Sequence, residues 1–425
     1  MDSCLTSGVL SPMCPIIDVA VFGLNSSGDI VGHEEDELID IIQRTVADFR
    51  GQSRIFNLSL GFEYSVTDGV FSELAKNLDY LARENDVLFI IASGNISTPS
   101  VPHPEQFLAD SARIQPPAES LLGLTVGALA RHTTSRALSR AGEVSPFSCR
   151  GPGADGGQKP EVTAHGGNLV AAWDQNPRIG TFGLSGSGTQ LAFENGTSCA
   201  APLAAQMAAR LEFEYQAVST NLIKALLCHF ADPVSSPVVA LDPRHLSGLG
   251  CPNVDRALFA GDHSVAYLYD GRLIADTYQH IPFFVPGTLS EGSGRSLKVS
   301  VTLVYNPPVD PDNADEYSKA RIVCSLHKRV DVGFRQVPMS PAGGLVGKPW
   351  NPLIHFEKGF ARQYSTGDWE IRLRLITRGG LSDLFEQTYA LIVEVIDTSG
   401  GTDVRSDIMN EAGATLEVVA LRSAA

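Results

Sequence analysis

The sequence predicts an α/β fold, a parallel sheet with helices on both faces, followed by an antiparallel β-sandwich. Two observations carry this. Up to about residue 230, short and nearly continuous apolar runs alternate with amphipathic helical patterns, as expected of strands covered on both faces by crossover helices. Beyond about residue 290 the apolar period becomes two over several runs separated by turn-rich gaps, the pattern of a sandwich. A Pro-, Ser- and Gly-rich connection from Pro233 to Pro252 stands between them, and domains are expected over 1–235 and 260–425.

In chain order, Ile16–Gly23 is a short apolar run ending in glycine and reads as a buried strand. Leu38, Ile42, Val46 and Phe49 recur at helical spacing behind an acidic start. Arg54–Gly61 reads as a second strand, Val70, Leu74, Leu78, Leu81 and Ala82 as a second helix, and Val87–Ala92 as a third strand running into Ser93-Gly94-Asn95. A helix capped by Ser219 or Thr220 and carrying Leu222, Leu226 and Phe230 closes the first domain. The alternating runs are Leu297 to Tyr305, Trp369 to Leu375, Tyr389 to Val395, and Leu416, Val418 and Ala420.

The chain has 425 residues, 43% hydrophobic and 19% charged, with a formal net charge of −16. That is ordinary for a globular protein and gives no support to a nucleic-acid partner, which needs a basic surface. No apolar run is long enough for a membrane span. The start, Met1-Asp2-Ser3-Cys4-Leu5, lacks the basic and apolar parts of a signal peptide. Seven scattered cysteines show neither metal-ligand spacing nor a disulfide framework. Free thiols in a reducing compartment are the simpler account, so a cytoplasmic location is expected.

Nucleotide-binding motifs fail. Gly23, Gly28 and Gly32 miss the dinucleotide spacing, and Asp29-Ile30 stands where a phosphate-binding loop needs Lys-Ser/Thr. In Gly183-Leu184-Ser185-Gly186-Ser187 the second glycine of a nucleophile elbow is missing. Asp310–Glu316 lacks the glycine and spacing of an EF-hand and reads as a solvated acidic loop. No cofactor or metal site is expected.

The stretch that carries chemistry is Asn195-Gly196-Thr197-Ser198-Cys199-Ala200-Ala201-Pro202, followed by a run of helix formers. A serine in the first turn of a helix sits beside unpaired N–H groups and the positive end of the dipole, where an oxyanion is stabilised. Pro202 is expected to be tolerated as a first-turn residue. On these residues alone two readings stay open, a nucleophilic Ser198 or a Thr197 or Ser198 that only caps the helix.

This octapeptide resembles the nucleophile signature Gly-Thr-Ser-x-Ala-x-Pro of subtilisin-like serine peptidases. Further likenesses follow in family order: Asn57 to Gly61, Ser93 to Asn95, Pro117-Ala118 with Val126-Gly127-Ala128, Phe147-Ser148-Cys149-Arg150-Gly151-Pro152, and Lys159-Pro160-Glu161-Val162 with Ala164 and Gly166. His165 takes the place of a family proline and reads as structural. The resemblance covers residues from about 16 to 231 and implies a subtilisin-like sheet. It makes Ser198 the nucleophile and Asn95 the oxyanion donor. Ser59-Leu60-Gly61 would be an edge that pairs with an extended peptide, and Ser93-Gly94 would line the primary specificity pocket.

The resemblance also implies an Asp-Ser/Thr-Gly and a His-Gly-Thr motif before Ile16, and neither is present. Asp18 lacks the following hydroxyl residue and glycine, and His33 is followed by Glu34 and lies too close to Asn57, so both are rejected. Loss of the histidine costs about a million-fold in kcat in subtilisin, a member of this family. The expectation is therefore an N-terminally incomplete peptidase, inactive alone, whose Asp and His lie upstream or on a separate segment. The alternative is a pseudopeptidase that keeps the cleft to bind peptides.

Overall fold

The computed structural model describes residues 14–97, 99, 101–170, 179–184, 191–259, 261–290, 292–294, 296–338, 350–401 and 403–412. A two-residue hairpin, β1 (Gly23–Leu24) with β2 (Ile30–Val31), leads into α1 (Glu35–Phe49), β3 (Ile55–Leu58), α2 (Glu73–Asn85), β4 (Leu88–Ala92), β5 (Leu124–Leu129) and β6 (Val162–His165). Strands β3 to β6 lie side by side in that order, all parallel.

Alternation along β4 shows the two-sided burial. Leu88, Ile90 and Ala92 belong to one apolar cluster and Phe89 and Ile91 to another. The second cluster holds Leu38, Ile42 and Val46 of α1 and Leu74, Leu78 and Leu81 of α2. On the other face, hairpin β7 (Thr181–Leu184) and β8 (Leu191–Glu194) delivers the chain into α3 (Thr197–Tyr215), followed by α4 (Thr220–His229). Here Ala200, Ala201, Ala204 and Ala208 lie flat on the sheet. Their small side chains let a helix backbone approach a parallel sheet closely. Ser72 and Ser219 cap α2 and α4, each accepting a hydrogen bond from the N–H three residues on.

One element departs from expectation. Ile16–Gly23 is not a buried strand: Ile16 is 78% and Phe22 57% exposed, and only its last residue enters a ladder, the short β1–β2 hairpin. Among the described residues of the run, only Val21 packs against the α1–α2 cluster. An apolar run becomes a buried strand only where a neighbouring strand takes its peptide groups. Among the described residues β3 is thus an edge strand of the sheet.

After short β9 (Ala231–Asp232), α5 (Arg244–Ser247), β10 (Cys251–Pro252) and α6 (Val254–Leu258) come eight strands: β11 (Ser264–Ile274), β12 (Tyr278–Val285), β13 (Leu297–Tyr305), β14 (Ala320–Arg329), β15 (Phe334–Gln336), β16 (Leu353–Phe360), β17 (Gly367–Thr377) and β18 (Glu386–Asp397). They form two antiparallel sheets, β11-β18-β13-β16 and β12-β17-β14-β15, packed around Trp369, Tyr305, Phe283 and Tyr389. Helix α7 (Val404–Ala412) follows, and Val404 and Ile408 join this core. Leu416, Val418 and Ala420 lie outside the described residues.

The sandwich is fastened to the α/β part by buried polar groups. The Asp79 carboxylate on α2 accepts from Ser120 Oγ (2.6 Å), the N–H groups of Leu121 and Leu122, and Tyr317 Oη (2.7 Å), whose ring stacks on Phe71. On α4, His229 Nδ1 meets Thr302 Oγ1 at 2.8 Å and Nε2 meets Glu394 at 3.2 Å, and Thr302 also meets His355 Nδ1 at 2.8 Å. Within the α/β part, Lys159 and Lys224 of α4 share the buried Glu161 carboxylate at 2.8 and 3.4 Å.

Burial, then the neighbouring His229, pushes the His355 imidazole down from 6.5 to about 3. The unfolded chain takes up this proton below pH 6.5 and the folded chain does not, so stability is lost as pH falls from 6.5 towards 3. The slope from this group is about 1.4 kcal/mol per pH unit. Urea unfolding at pH 7.5, 6 and 5 should show wild type losing stability more steeply than His355→Gln; parallel pH profiles would refute the assignment.

Candidate active site

The site forms at the carboxyl edge of the parallel sheet, where ligands gather in such folds. Beyond β4 the chain runs through Ser93, Gly94 and Asn95, and α3 starts against it from the side. The contact between them is specific. Asn95 Oδ1 accepts from the Thr197 N–H at 2.9 Å, and Thr197 Oγ1 lies 3.2 Å from Gly94 O and 3.3 Å from Asn95 Oδ1. A backbone N–H only donates, so the amide oxygen of Asn95 must face Thr197, and this fixes the amide nitrogen on the other side.

That nitrogen looks over Gly196 towards Ser198. A Cβ at Gly196 would stand 2.7 Å from Ser198 Oγ, 3.6 Å from Ser198 N and 3.8 Å from Asn95 Nδ2. Three polar atoms therefore border one small space, which is open because residue 196 has no side chain. Ser198 is exposed and is the second residue of α3. Among the described residues its N–H and Asn95 Nδ2 have no acceptor, so two donors are available beside the hydroxyl.

Sequence reasoning missed the residue that holds Asn95 in place. The Gln115 side chain pairs with the Asn95 main chain in both directions, Oε1 with N at 3.2 Å and Nε2 with O at 3.3 Å. It leaves no room at Gly94: a Cβ there would lie 2.5 Å from Gln115 Oε1, and φ is +98°. The only sequence signal was the nearness of Gln115 to Pro117-Ala118. It lies 20 residues from Asn95 along the chain, so no local pattern links the two.

Ser93 and Gly94 are buried, with the Ser93 N–H and carbonyl bonded to Val126 and Gln115 and the Gly94 carbonyl accepting from the Cys149 N–H. They are a fixed wall behind Asn95. Leu60 and Gly61 differ, because their main-chain groups have no partner among the described residues, whereas Phe62 N–H is bonded to Pro116 O. Ser59 has a role that the sequence did not suggest. Its hydroxyl donates to the Ser198 carbonyl at 3.1 Å and accepts from Asn57 Nδ2 at 3.0 Å. Pro202 explains why that carbonyl is free: it is the sixth residue of α3, not a first-turn residue, and it lacks the N–H that would have bonded Ser198 O. The expected placement of Pro202 is thus corrected, and Ser59 satisfies the group that the proline leaves open.

His33 is exposed and bonded to Glu37, and Asp18 is exposed. Among the described residues neither is hydrogen-bonded to Ser198. His165 ends β6, and burial first, then Arg131 and His132, pulls its pKa below the ordinary value.

The sequence pattern of the Subtilase family matches residues 12–258, more than half the chain. The chain belongs to the subtilase family. It is 29% identical over 291 residues to the uncharacterized protein y4bN of Sinorhizobium fredii, covering 60% of this chain and 67% of that protein. It is 31% identical over 150 residues to the serine protease AprX of Bacillus subtilis, 35% of this chain and 32% of that one. Among solved structures it resembles the patellamide maturation protease PatA at 22% identity, covering 53% of this chain and 68% of that one with a TM-score of 0.37. The serine protease of Aeromonas sobria is 17% identical, covering 84% and 74% with a TM-score of 0.39. These superpositions are poor, and the family assignment rests on the sequence match. Subtilases are serine peptidases, so peptide or protein chains are the substrate class of this family.

The Ser59–Pro202 pairing is testable in a double-mutant cycle. Ser59→Ala should cost about 0.5–1.5 kcal/mol in the wild-type background. In Pro202→Ala, whose new N–H can reach Ser198 O, the same change should cost measurably less. Strict additivity in chemical denaturation would show that the proline and the hydroxyl are unrelated.

Proposed function

We propose that this chain carries the nucleophile and oxyanion half of a serine endopeptidase site. The observation that carries the reading is the convergence of Asn95 Nδ2 and the Ser198 N–H on the space beside Ser198 Oγ. A peptide carbonyl placed there has its carbon before the hydroxyl oxygen and its own oxygen before two donors. As Oγ attacks, the carbonyl π electrons move onto that oxygen, and the donors stabilise the charge that develops. Leu60 and Gly61 would bond an extended peptide as an added strand, and Ser93-Gly94 would back its pocket.

The hydroxyl proton has to leave towards a base. In this proposal a histidine and its aspartate come from outside the described residues, upstream or on a separate segment. We take residues 1–235 as the peptidase domain and 260–425 as an accessory sandwich. The six described cysteines are all free, which favours a reducing, cytoplasmic setting. A second reading, a peptide-binding pseudopeptidase, is favoured by one observation: among the described residues no imidazole is bonded to Ser198.

A fluorophosphonate probe decides between the two. With the protein purified from its native source, Ser198 should be labelled, Ser198→Ala should not, and Asn95→Ala should slow labelling by about 10²–10³-fold. Absence of labelling, together with peptide binding that Leu60→Pro abolishes, would replace the peptidase reading by the binding one.

A further inference from the structure

The outer sheet of the sandwich carries a charge pattern that its fold does not require. Strands β12, β17 and β14 turn Ile281, Phe283, Ile371, Leu373, Leu375, Ile322 and Leu326 into the core. Their opposite faces bring together Tyr278 and His280 of β12, Arg372 and Arg374 of β17, and Arg321 and Ser325 of β14. In register, Tyr278 stands beside Arg374, His280 beside Arg372, Arg372 beside Ser325, and Arg374 beside Val323. Arg321 is then diagonal to Arg374, a separation of roughly 7–8 Å on a sheet.

The carboxylates on this face do not balance it. Glu370 is already held by Arg372 Nε at 2.5 Å and by His280 Nδ1 at 3.2 Å, and Asp368 lies at the far end of β17, opposite Phe284. Arg374 is exposed, and the contact it makes is with the Tyr278 ring, 5.2 Å from its centroid. This fixes the guanidinium without neutralising it. Arg321 is half-buried and has no carboxylate partner among the described residues. Like charges set side by side on a sheet repel, and here two such cations stand together on a chain of net charge −16.

We propose that this face is a docking surface for a short acidic segment of polypeptide, with Arg374 and Arg321 receiving its carboxylates and Tyr278 and Ser325 flanking them. Guanidinium groups with their donors free match carboxylate oxygens in geometry and in charge. The size of the patch selects the partner. It spans three strands and two residue pairs, enough for a few carboxylates. An extended polyanion, whether nucleic acid, glycan or anionic membrane, calls for a larger basic surface than two unpaired guanidiniums on a chain of net charge −16. The inference rests on the sandwich alone and is independent of the role of Ser198.

The test is fluorescence anisotropy with a labelled ten-residue Glu/Ser peptide, using the full chain at 50 mM NaCl. Wild type should bind, and the affinity should fall at 300 mM NaCl. The double variant Arg321→Gln/Arg374→Gln should bind about tenfold or more weakly. Arg136→Gln, which removes one exposed charge elsewhere, should bind as wild type does. Arg374→Gln alone, at an exposed position, keeps the test valid if the double variant unfolds, and should also weaken binding. The proposal is overturned if wild type does not bind, if Arg136→Gln loses as much affinity as Arg374→Gln, or if a heparin oligosaccharide or phosphatidylserine vesicles bind this face more tightly than the peptide.

Discussion

The bond from the Thr197 N–H to Asn95 Oδ1 is the constraint on which the site depends. It is one hydrogen bond, yet it joins the end of a sheet strand to the start of the serine helix, segments 102 residues apart in sequence. It satisfies one of the unpaired donors of α3 and at the same time decides which way the Asn95 amide is turned. With the amide reversed, two donors would face each other and the carbonyl side would point at Ser198. Gln115 adds to this from behind by holding the Asn95 main chain, and the missing side chain at Gly196 leaves the space open. The geometry is thus held by groups that do not themselves face the opening.

A second constraint concerns the helix. A proline at the sixth position of α3 would ordinarily strand the carbonyl four residues earlier, which is the carbonyl of Ser198 itself. Ser59, at the mouth of the β3 edge, takes up that carbonyl. The proline therefore couples the serine to the segment that continues into Leu60 and Gly61, whose main-chain groups have no partner among the described residues. A substitution in that edge is felt at the serine through one hydroxyl.

Much of this was legible in the sequence, and what was not has physical reasons. The runs in β4, β13, β17 and β18 were readable because each is covered in a regular way, on both faces or on alternate residues. Strand β11 was not, because its burial is irregular: Val265, Ala266 and Tyr267 are all buried in succession, with Ala266 in the cluster shared with α4 and its neighbours in the sandwich core. Strands β13 and β18 lie between the same two cores but keep an apolar residue at every second position, whereas Asp270, Gly271 and Arg272 interrupt the run of β11. Ile16–Gly23 misled for the opposite reason, since apolar composition is a property of the chain and burial depends on a neighbour. In the site, the structure brings together Ser198 and Asn95, which were singled out because each lies in a compact local motif. Gln115 and the role of Ser59 were not, since both act across the fold on main-chain atoms that leave no mark on residue type.

The sandwich is more than an appendage in this arrangement, and α4 shows why. Its buried face packs in the same apolar cluster as α3 and the parallel sheet, while Ala266, Val304, Ala390 and Ile392 of the sandwich join that cluster from the other side. At its start, Ser219 is held by the Asp270 carboxylate of β11 and Thr220 by Asp86 of the α/β part. At its end, His229 is bonded to Thr302 and Glu394. Both termini of one helix are therefore fixed by the sandwich, and the helix between them lies against the one that carries Ser198. Close-packed interiors transmit displacement and do not absorb it. The inner sheet of the sandwich and the serine helix thus pack against one and the same helix, so a change in the packing of α4 is felt by both.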